Sequence, residues 1–365
     1  MSRPAQDFWN GFPEEILVHI FSYLPLKDRH VAFHVCQRWA EAVHTISVWS
    51  YTEVSCNAEE MDQECVVQRL HQFLCHIKHL KIVLGGSREA NRKHMTQILD
   101  MLIWQSHKVR ALCIECCGKS VRFYSCKDIL QSFSRLCLKD GTSELRYIDF
   151  RQASFILDNK MVLLIATSSP NLHSLLINNH PSKFLRPETI AKVLRTSPKL
   201  SVLGVHHTTL SEEVFQELLK PSRGPFHFLD IFCEGLNNNI PERLWSALIK
   251  KHPQLRVGLE FGLAVPSWKI SSILKPNIPV TVLQFTYQYC MVRHIQFVTA
   301  SYCRMLERLL LHATPSDDVN FSLIQLARKC MRLKEIHCFC AVSQAVIDAF
   351  FLYCPGLIRY TLSTH

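Results

Sequence analysis

The chain has 365 residues, 48% of hydrophobic type and only 11 of them glycine, with 41 basic against 31 acidic side chains. That excludes a disordered tail and leaves enough apolar material for a large core or an extended series of repeats. The longest apolar runs, such as Met161–Ala166, fall far short of the ~20 residues a membrane-spanning helix needs, and the start MSRPAQDFWNGFPEE lacks the apolar stretch of a secretory signal.

Residues 12–49 read as helical. Phe12-Pro13-Glu14-Glu15 sets a proline at a helix start, where its missing N–H is not needed, with two acids at the positive end of the dipole. Ile16, Leu17, Ile20, Phe21 and Leu24 then form one apolar stripe, and Pro25 ends the helix. Asp28 is the expected cap of a second helix carrying Val31, Ala32, Val35, Cys36 and Trp39 on one face. Three helices of about forty residues are marginal alone, so the stripe packs on the rest of the chain or enters a partner's groove.

From residue 77 onward an apolar residue recurs at n, n+3 and n+5. The triplets are Ile77/Leu80/Ile82, Val109/Leu112/Ile114, Leu145/Ile148/Phe150, Leu172/Leu175/Ile177, Leu200/Leu203/Val205 and Phe226/Leu229/Ile231. They continue with Val280/Leu283/Phe285, Leu306/Leu309/Leu311, Leu333/Ile336/Cys338 and Leu357/Tyr360/Leu362, and with a variant at Leu255, Val257, Leu259 and Phe261. Eleven starts between residues 77 and 357 give a mean period of 28. A period of 20–29 with this pattern is the leucine-rich-repeat signature, in which one strand and one helix per unit bury their faces only by stacking on neighbours. Ser106, Ser169, Ser197, His252, Cys303, Cys330 and Cys354 stand at n−3, often before proline, and mark helix ends. Helices are visible between the strands at Glu212–Leu219 and Ser343–Phe351.

Sixteen cysteines are roughly 4% of the chain, well below a disulfide scaffold, and read as reduced thiols of a cytosolic or nuclear protein. Cys113, Cys116 and Cys117 lack a second pair at zinc-binding distance, and His337-Cys338-Phe339-Cys340 on a strand sends the histidine and the cysteines to opposite faces. No metal, cofactor or catalytic residue is expected. The charge of residues 51–365 is +11, from 37 basic and 26 acidic side chains, but no basic run with interleaved aromatics points to nucleic acid.

The sequence Phe12-Pro13-x-Glu15-Ile16-Leu17-x-x-Ile20-Phe21-Ser22-Tyr23-Leu24-Pro25-x-x-Asp28-Arg29, followed by Val35-Cys36-x-x-Trp39 and Val48-Trp49, closely resembles the F-box, with Phe12 where leucine is usual. Joined to the repeats, it resembles the F-box and leucine-rich-repeat substrate-receptor family across essentially the whole chain. The implied fold is α/β, a helical F-box (8–50), a helical linker or cap (51–76, one helix at Gln63–Ile77) and a βα horseshoe of about eleven irregular repeats (77–365). The resemblance implies docking on the Skp-type adaptor of a cullin–RING ubiquitin ligase through Phe12, Pro13, Ile16, Leu17, Ile20, Phe21 and Leu24, with Trp39 and Trp49 holding the helices together. It implies a non-catalytic receptor for a protein target. A scaffold that binds the adaptor without promoting degradation is the alternative, and neither membrane nor nucleic acid is an expected partner.

In such a repeat, n+2, n+4 and n+6 face away from the core. Tyr147/Asp149/Arg151, Phe228/Asp230/Phe232 and Glu335/His337/Phe339 gather aromatics and charge there, the composition of binding hot spots, and His79, Lys81 and His206 add basic or titratable groups. These nine residues of the three triplets are the expected target contacts.

Overall fold

The computed structural model describes residues 12–57, 70–85, 88–104, 108–117, 126–139, 142–179, 185–234, 239–263, 265–289 and 291–364. Internal contacts divide the chain into two compact units, Met1–Ser174 with Asn179–Pro181, and Leu175–Asn178 with Ser182–His365.

The first unit opens with helices. Pro13, at φ −56° and ψ 145°, caps α1 (Glu14–Ser22) and puts Glu14 and Glu15 in its first turn. Pro25 does the same for α2 (Leu26–Phe33), so this helix starts before Asp28, the expected cap, which lies in its first turn. A turn over 34–36 separates α2 from α3 (Gln37–His44), and α4 (Ile46–Trp49) follows. That turn splits the apolar face expected on one helix. Ala32 is buried and Trp39 half-buried, but Val31, Val35 and Cys36 are exposed.

The segment expected to be a helical linker begins instead with a strand, β1 (Tyr51–Cys56), which pairs in parallel with β2 (His79–Gly85). Trp49, Thr52 and Val54 occupy the n, n+3 and n+5 register and are buried to 2% or less, so the repeat starts one unit earlier than its leucines announce. Most of the helix expected over Gln63–Ile77 lies outside the described residues; 70–73 are helical and Leu74–His76 form a 3-10 turn. Then come α5 (Glu89–Trp104), β3 (Ala111–Cys117), α6 (Lys127–Leu138), β4 (Tyr147–Asp149) and α7 (Asn159–Ser168). Parallel neighbours need a crossover, and these helices provide it. The strands pair in chain order with Tyr51, His79, Ala111 and Tyr147 side by side.

Strand β5 (Ser174–Leu176) falls at the boundary of the two units. The second unit continues with α8 (Pro187–Thr196), β6 (Val202–His206), α9 (Glu212–Leu219), β7 (Phe228–Cys233), α10 (Glu242–Lys251), β8 (Arg256–Phe261), α11 (Ser267–Ile273), β9 (Val280–Tyr289) and α12 (Val292–Ser301). It ends with β10 (Arg308–Ala313), α13 (Asp317–Lys329), β11 (Glu335–Ala341), α14 (Gln344–Tyr353) and β12 (Arg359–Ser363). Strands β6 to β12 are parallel and ordered as in the chain. Every one of the eleven repeat starts read from the sequence therefore leads into a strand, β2 through β12. Ser211 and Ser316 cap α9 and α13 through their hydroxyls, which accept from the backbone N–H of Val214 and Val319.

The apolar triplets are the core. From β2 to β11 every triplet side chain is buried to 2% or less, each contributing ~1.5–3 kcal/mol of apolar burial. The last triplet differs, for Tyr360 is 52% exposed and Leu357 and Leu362 are half-buried.

The n−3 position closes several of the helices. The carbonyls of Ser169, Ser197, His252, Cys330 and Cys354 accept the backbone N–H of Leu172, Leu200, Leu255, Leu333 and Leu357 at 3.0–3.2 Å, which turns the chain from helix into strand. Thr142 performs the same turn for Leu145. Cys303 does not belong to the series. Tyr302 caps α12 in its place, buried to 2% with its hydroxyl on the Lys275 carbonyl at 2.8 Å, while Cys303 is half-exposed. Ser106 lies outside the described residues.

Candidate functional site

Two surfaces bear on function, the face of the helical module and the strand face opposite the buried triplets. In the helical module the apolar stripe divides. Leu17 and Phe21, expected at a partner, are 0% and 2% exposed; Phe21 packs on Trp39 with ring centroids 5.0 Å apart. They are the interior of the module and hold it together. Pro13 and Ile16, the latter 42% exposed, point outward, and Phe12, Ile20 and Leu24 are half-buried. Tyr23, Val31 and Val35 add exposed apolar surface that spacing did not assign to a contact.

A second structural residue escaped the sequence reading. Arg29 is almost fully buried and spends its guanidinium on oxygens, with Nε donating to the Leu24 carbonyl at 2.9 Å and Nη2 to Ser22 at 2.9 Å and Tyr51 at 3.2 Å. Nη1 reaches the Thr52 hydroxyl at 3.4 Å, and the group lies 5.5 Å from the Trp49 ring centroid. Burial lowers its pKa to about 10. Trp49 itself donates Nε1–H to Val43 and stacks on Phe73 at 3.9 Å, as expected of a residue that binds the helices together.

The strand face of the first unit carries a cavity of about 380 Å³ lined by Tyr51, His79, Leu80, Lys81, Ala111, Cys113 and Tyr147. It exists because the register sets the small Ala111 between two tyrosine-bearing strands. Lys81 bridges Glu115 at 2.9 Å and Glu53 at 3.2 Å; the hydrogen bond to Glu115, more than that to Glu53, raises the lysine's pKa. A larger groove of about 880 Å³ shares Tyr51 and His79 and extends over Glu53 and Ser55 to residues 22–27.

Beside the cavity, Tyr147, Asp149 and Arg151 form one hydrogen-bonded group. The Asp149 carboxylate accepts from the Tyr147 hydroxyl at 2.9 Å, from Arg151 Nη2 at 2.7 Å and from the Arg151 backbone at 3.0 Å. Burial pushes its pKa up, but the Arg151 guanidinium outweighs burial and holds the carboxyl ionised below its ordinary range. Asp149 is only 8% exposed, so it is a holder and not the contact expected of it; what it presents is exposed Arg151 and half-buried Tyr147.

On the second unit, Phe228 and Asp230 are half-buried on β7, and Gly258 on β8 makes room for them. A Cβ there would meet the Asp230 carboxylate at 2.6 Å and the Phe228 ring at 3.1 Å. Phe232 is a correction. It is buried, packed edge-on against His206 at 5.4 Å, and His206 is buried too, so neither is available to a target. Four strands further on, or ~19 Å at ~4.8 Å per strand, His337 stands between the Glu335 carboxylate and the Thr361 hydroxyl, 2.8 Å from each. Phe339 stacks on His312 at 4.6 Å with 47% of its surface open. The two expected triplets of the second unit are therefore separate clusters, not one site. Among the described residues no group of three or more His, Cys, Asp or Glu is placed to hold a metal ion, and no helix is long and apolar enough to cross a membrane.

Residues 9–52 match the F-box-like family. Over 99% of its length the chain is 35% identical to human F-box/LRR-repeat protein 8, covering 96% of that protein, and it is 34% identical to the mouse form, covering 97% and 95%. Mouse F-box/LRR-repeat protein 21 is 24% identical over 95% of this chain and 80% of its own. Among solved structures, a chain of the yeast Rad7 and Elc1 complex is similar at a TM-score of 0.46 and 14% identity, over 97% of this chain and 89% of that one. An F-box-like stretch at the start, strands repeating every 28 residues behind it, and one-third identity along nearly the full length of both chains make this protein a member of the F-box/LRR-repeat family.

Proposed function

We propose that the chain is the substrate-recognition subunit of an SCF-type ubiquitin ligase, docking on a Skp-type adaptor through its helical module and holding a protein target on its strand face. The observation that carries the reading is the open apolar surface on a module whose described residues form four short helices, where Ile16 and Tyr23 are 42% and 76% exposed. Exposed apolar side chains in such a module mark a partner's groove. Family membership supports the same reading. The role is non-catalytic: the ligase speeds transfer by holding target lysines near a charged conjugating enzyme, a gain in effective concentration. Cullin attachment follows through the adaptor, and the cytosol or nucleus is where such a complex works. On the target side the cavity between Tyr51 and Tyr147 takes an apolar side chain, with Arg151 and His79 beside it for an acidic neighbour.

The test is made on exposed Ile16 and half-buried Ile20, both outside the module's buried interior. Ile16→Asp with Ile20→Asp abolishes co-purification of a Skp-type adaptor while leaving far-ultraviolet circular dichroism and the melting temperature within a few degrees of the wild type. Undiminished adaptor recovery from the folded double variant overturns the proposal. Leu17→Asp is no test, because it puts a charge into the module's interior.

A further inference from the structure

Most described thiols are shielded. Burial lifts Cys56 and Cys330 to about 12, and Cys113, Cys126, Cys137 and Cys354 to about 11. Cys340, beside Cys338, departs from this pattern. They lie two apart on β11, hence on one face, and their sulfurs are 3.2 Å from each other. Cys338 is buried beneath the strand, and Cys340 is half-exposed. The hydrogen bond from Cys338, aided by the Ala313 backbone and against some burial, holds the Cys340 thiol down at about 7. Cys340 is therefore the thiol of the pair that ionises more readily, and the thiolate is the nucleophilic form.

The backbone here is also released. Strand β11 pairs with β10 as far as Cys338, and its register with β12 breaks between His337 and Ala341. The link between the two cysteines is thus the least tethered stretch of an otherwise laddered strand. Closing a bond needs the sulfurs to approach from 3.2 Å to ~2.0 Å, a movement this local break accommodates.

We propose that Cys338 and Cys340 are a modification site, closing to an intrachain disulfide when a hydroperoxide oxidises Cys340. The Cys340 thiolate attacks the peroxide, forming an S–O bond and breaking O–O; the departing hydroxide takes a proton and leaves as water. The Cys338 sulfur then attacks the sulfenic acid, forming S–S and breaking S–O, and its proton leaves with the second water. Two thiols and one hydrogen peroxide give one disulfide and two waters, with two electrons passing to the oxidant. A link across one residue of a strand is strained, so a dithiol reductant reopens it readily. Phe339 separates the two cysteines along the chain and carries its exposed ring on the other face of the strand, against His312, so closure strains the backbone that aims that ring.

The test uses the full chain. After hydrogen peroxide treatment, alkylation and tryptic digestion, the peptide spanning 335–359 is read by tandem mass spectrometry. Cys338 and Cys340 are expected to resist alkylation together, with the mass lower by two hydrogens, a fragment pattern that leaves Cys354 alkylated, and full reversal by dithiothreitol. Cys338→Ala leaves a sulfenic acid at position 340 that dimedone traps; Cys340→Ser oxidises at neither position. Cys338 and Cys340 both remaining alkylatable in the wild type, or a bond from Cys340 to Cys354, overturns the proposal. The wild-type measurement stands whether or not a variant folds.

Discussion

A buried arginine is a costly residue to place, and Arg29 is placed where three backbone carbonyls and one hydroxyl converge from α1, the turn behind it, and β1. Its donors are needed because those acceptors are partly or wholly withdrawn from solvent by the fold. Arg29→Met is therefore expected to lower stability by about 2–4 kcal/mol through acceptors left unpaired, and Arg29→Lys to recover less than half, since one ammonium cannot span the fork. Urea titration measures both; a change below about 0.5 kcal/mol, the range of ordinary surface substitutions, contradicts the account. Histidines give the residue scale a pH signature. Burial, with Lys269 adding repulsion, holds His207 at about 4 against 6.5 for the free group. The folded chain then keeps His207 neutral down to about 4, while the unfolded chain takes up a proton below about 6.5. The stability it contributes is complete above 6.5 and is lost as pH falls through that window to 4, by up to about 3 kcal/mol. His252 tilts the same way, burial lowering its pKa while Nδ1 accepts from Phe226 N–H and Nε2 donates to the Leu218 carbonyl. Unfolding free energies of wild type and His207→Leu across the window check this: the variant's curve is flatter, and parallel curves refute it.

Elements were legible where one residue type repeated at a fixed interval. Apolar side chains at n, n+3 and n+5 located β2 through β12 because packing forces them inside in every triplet from β2 to β11. The same register at Trp49, Thr52 and Val54 was hidden by a threonine in a core slot. Thr52 is tolerated there because its hydroxyl donates to the Trp49 carbonyl at 2.9 Å and meets Arg29, a compensation that no periodicity encodes. Alternation over Tyr51–Cys56 was the available signal, and it leads to the strand that supplies one wall of the cavity. The docking stripe was legible as a stripe but not as a surface. Spacing groups Leu17 and Phe21 with Ile16 and Ile20, and only the packing of α1 against α3 and α4 decides which half of so broad a stripe is left open. On the strand face, alternation rightly sent Phe339 and Arg151 outward, yet it has no means of seeing that Phe232 folds over Gly262, where a Cβ would lie 2.8 Å from its ring. Gly258 and Gly262, both unremarked in the sequence, are the signal that could have found it.

At the scale of the whole molecule, a chain that is 48% hydrophobic without one large core is explained by division of that core among units of about 28 residues, each sealed by the next. Stability in such a chain is local, a sum of units and the contacts between neighbours, so equal substitutions at equal register positions should differ only with what covers them. Leu283, wholly buried on β9, and Tyr360, half open on β12, hold the same n+3 position. Leu283→Ala removes packed methyls and leaves a cavity, which costs ~2–5 kcal/mol. Tyr360→Ala gives up only an edge contact with Phe351, ring centroids 5.0 Å apart, and costs about 1 kcal/mol or less. Hydrogen exchange read by mass spectrometry separates this picture from a single cooperative core. Leu283→Ala should raise exchange in β8, β9 and β10 while β6 and β12 keep their wild-type rates, and β12 should be the fastest-exchanging strand of the second unit before any substitution. A uniform rise across β6–β12 would mean that the second unit opens as one body, and that its repeats share a core which the register alone does not divide.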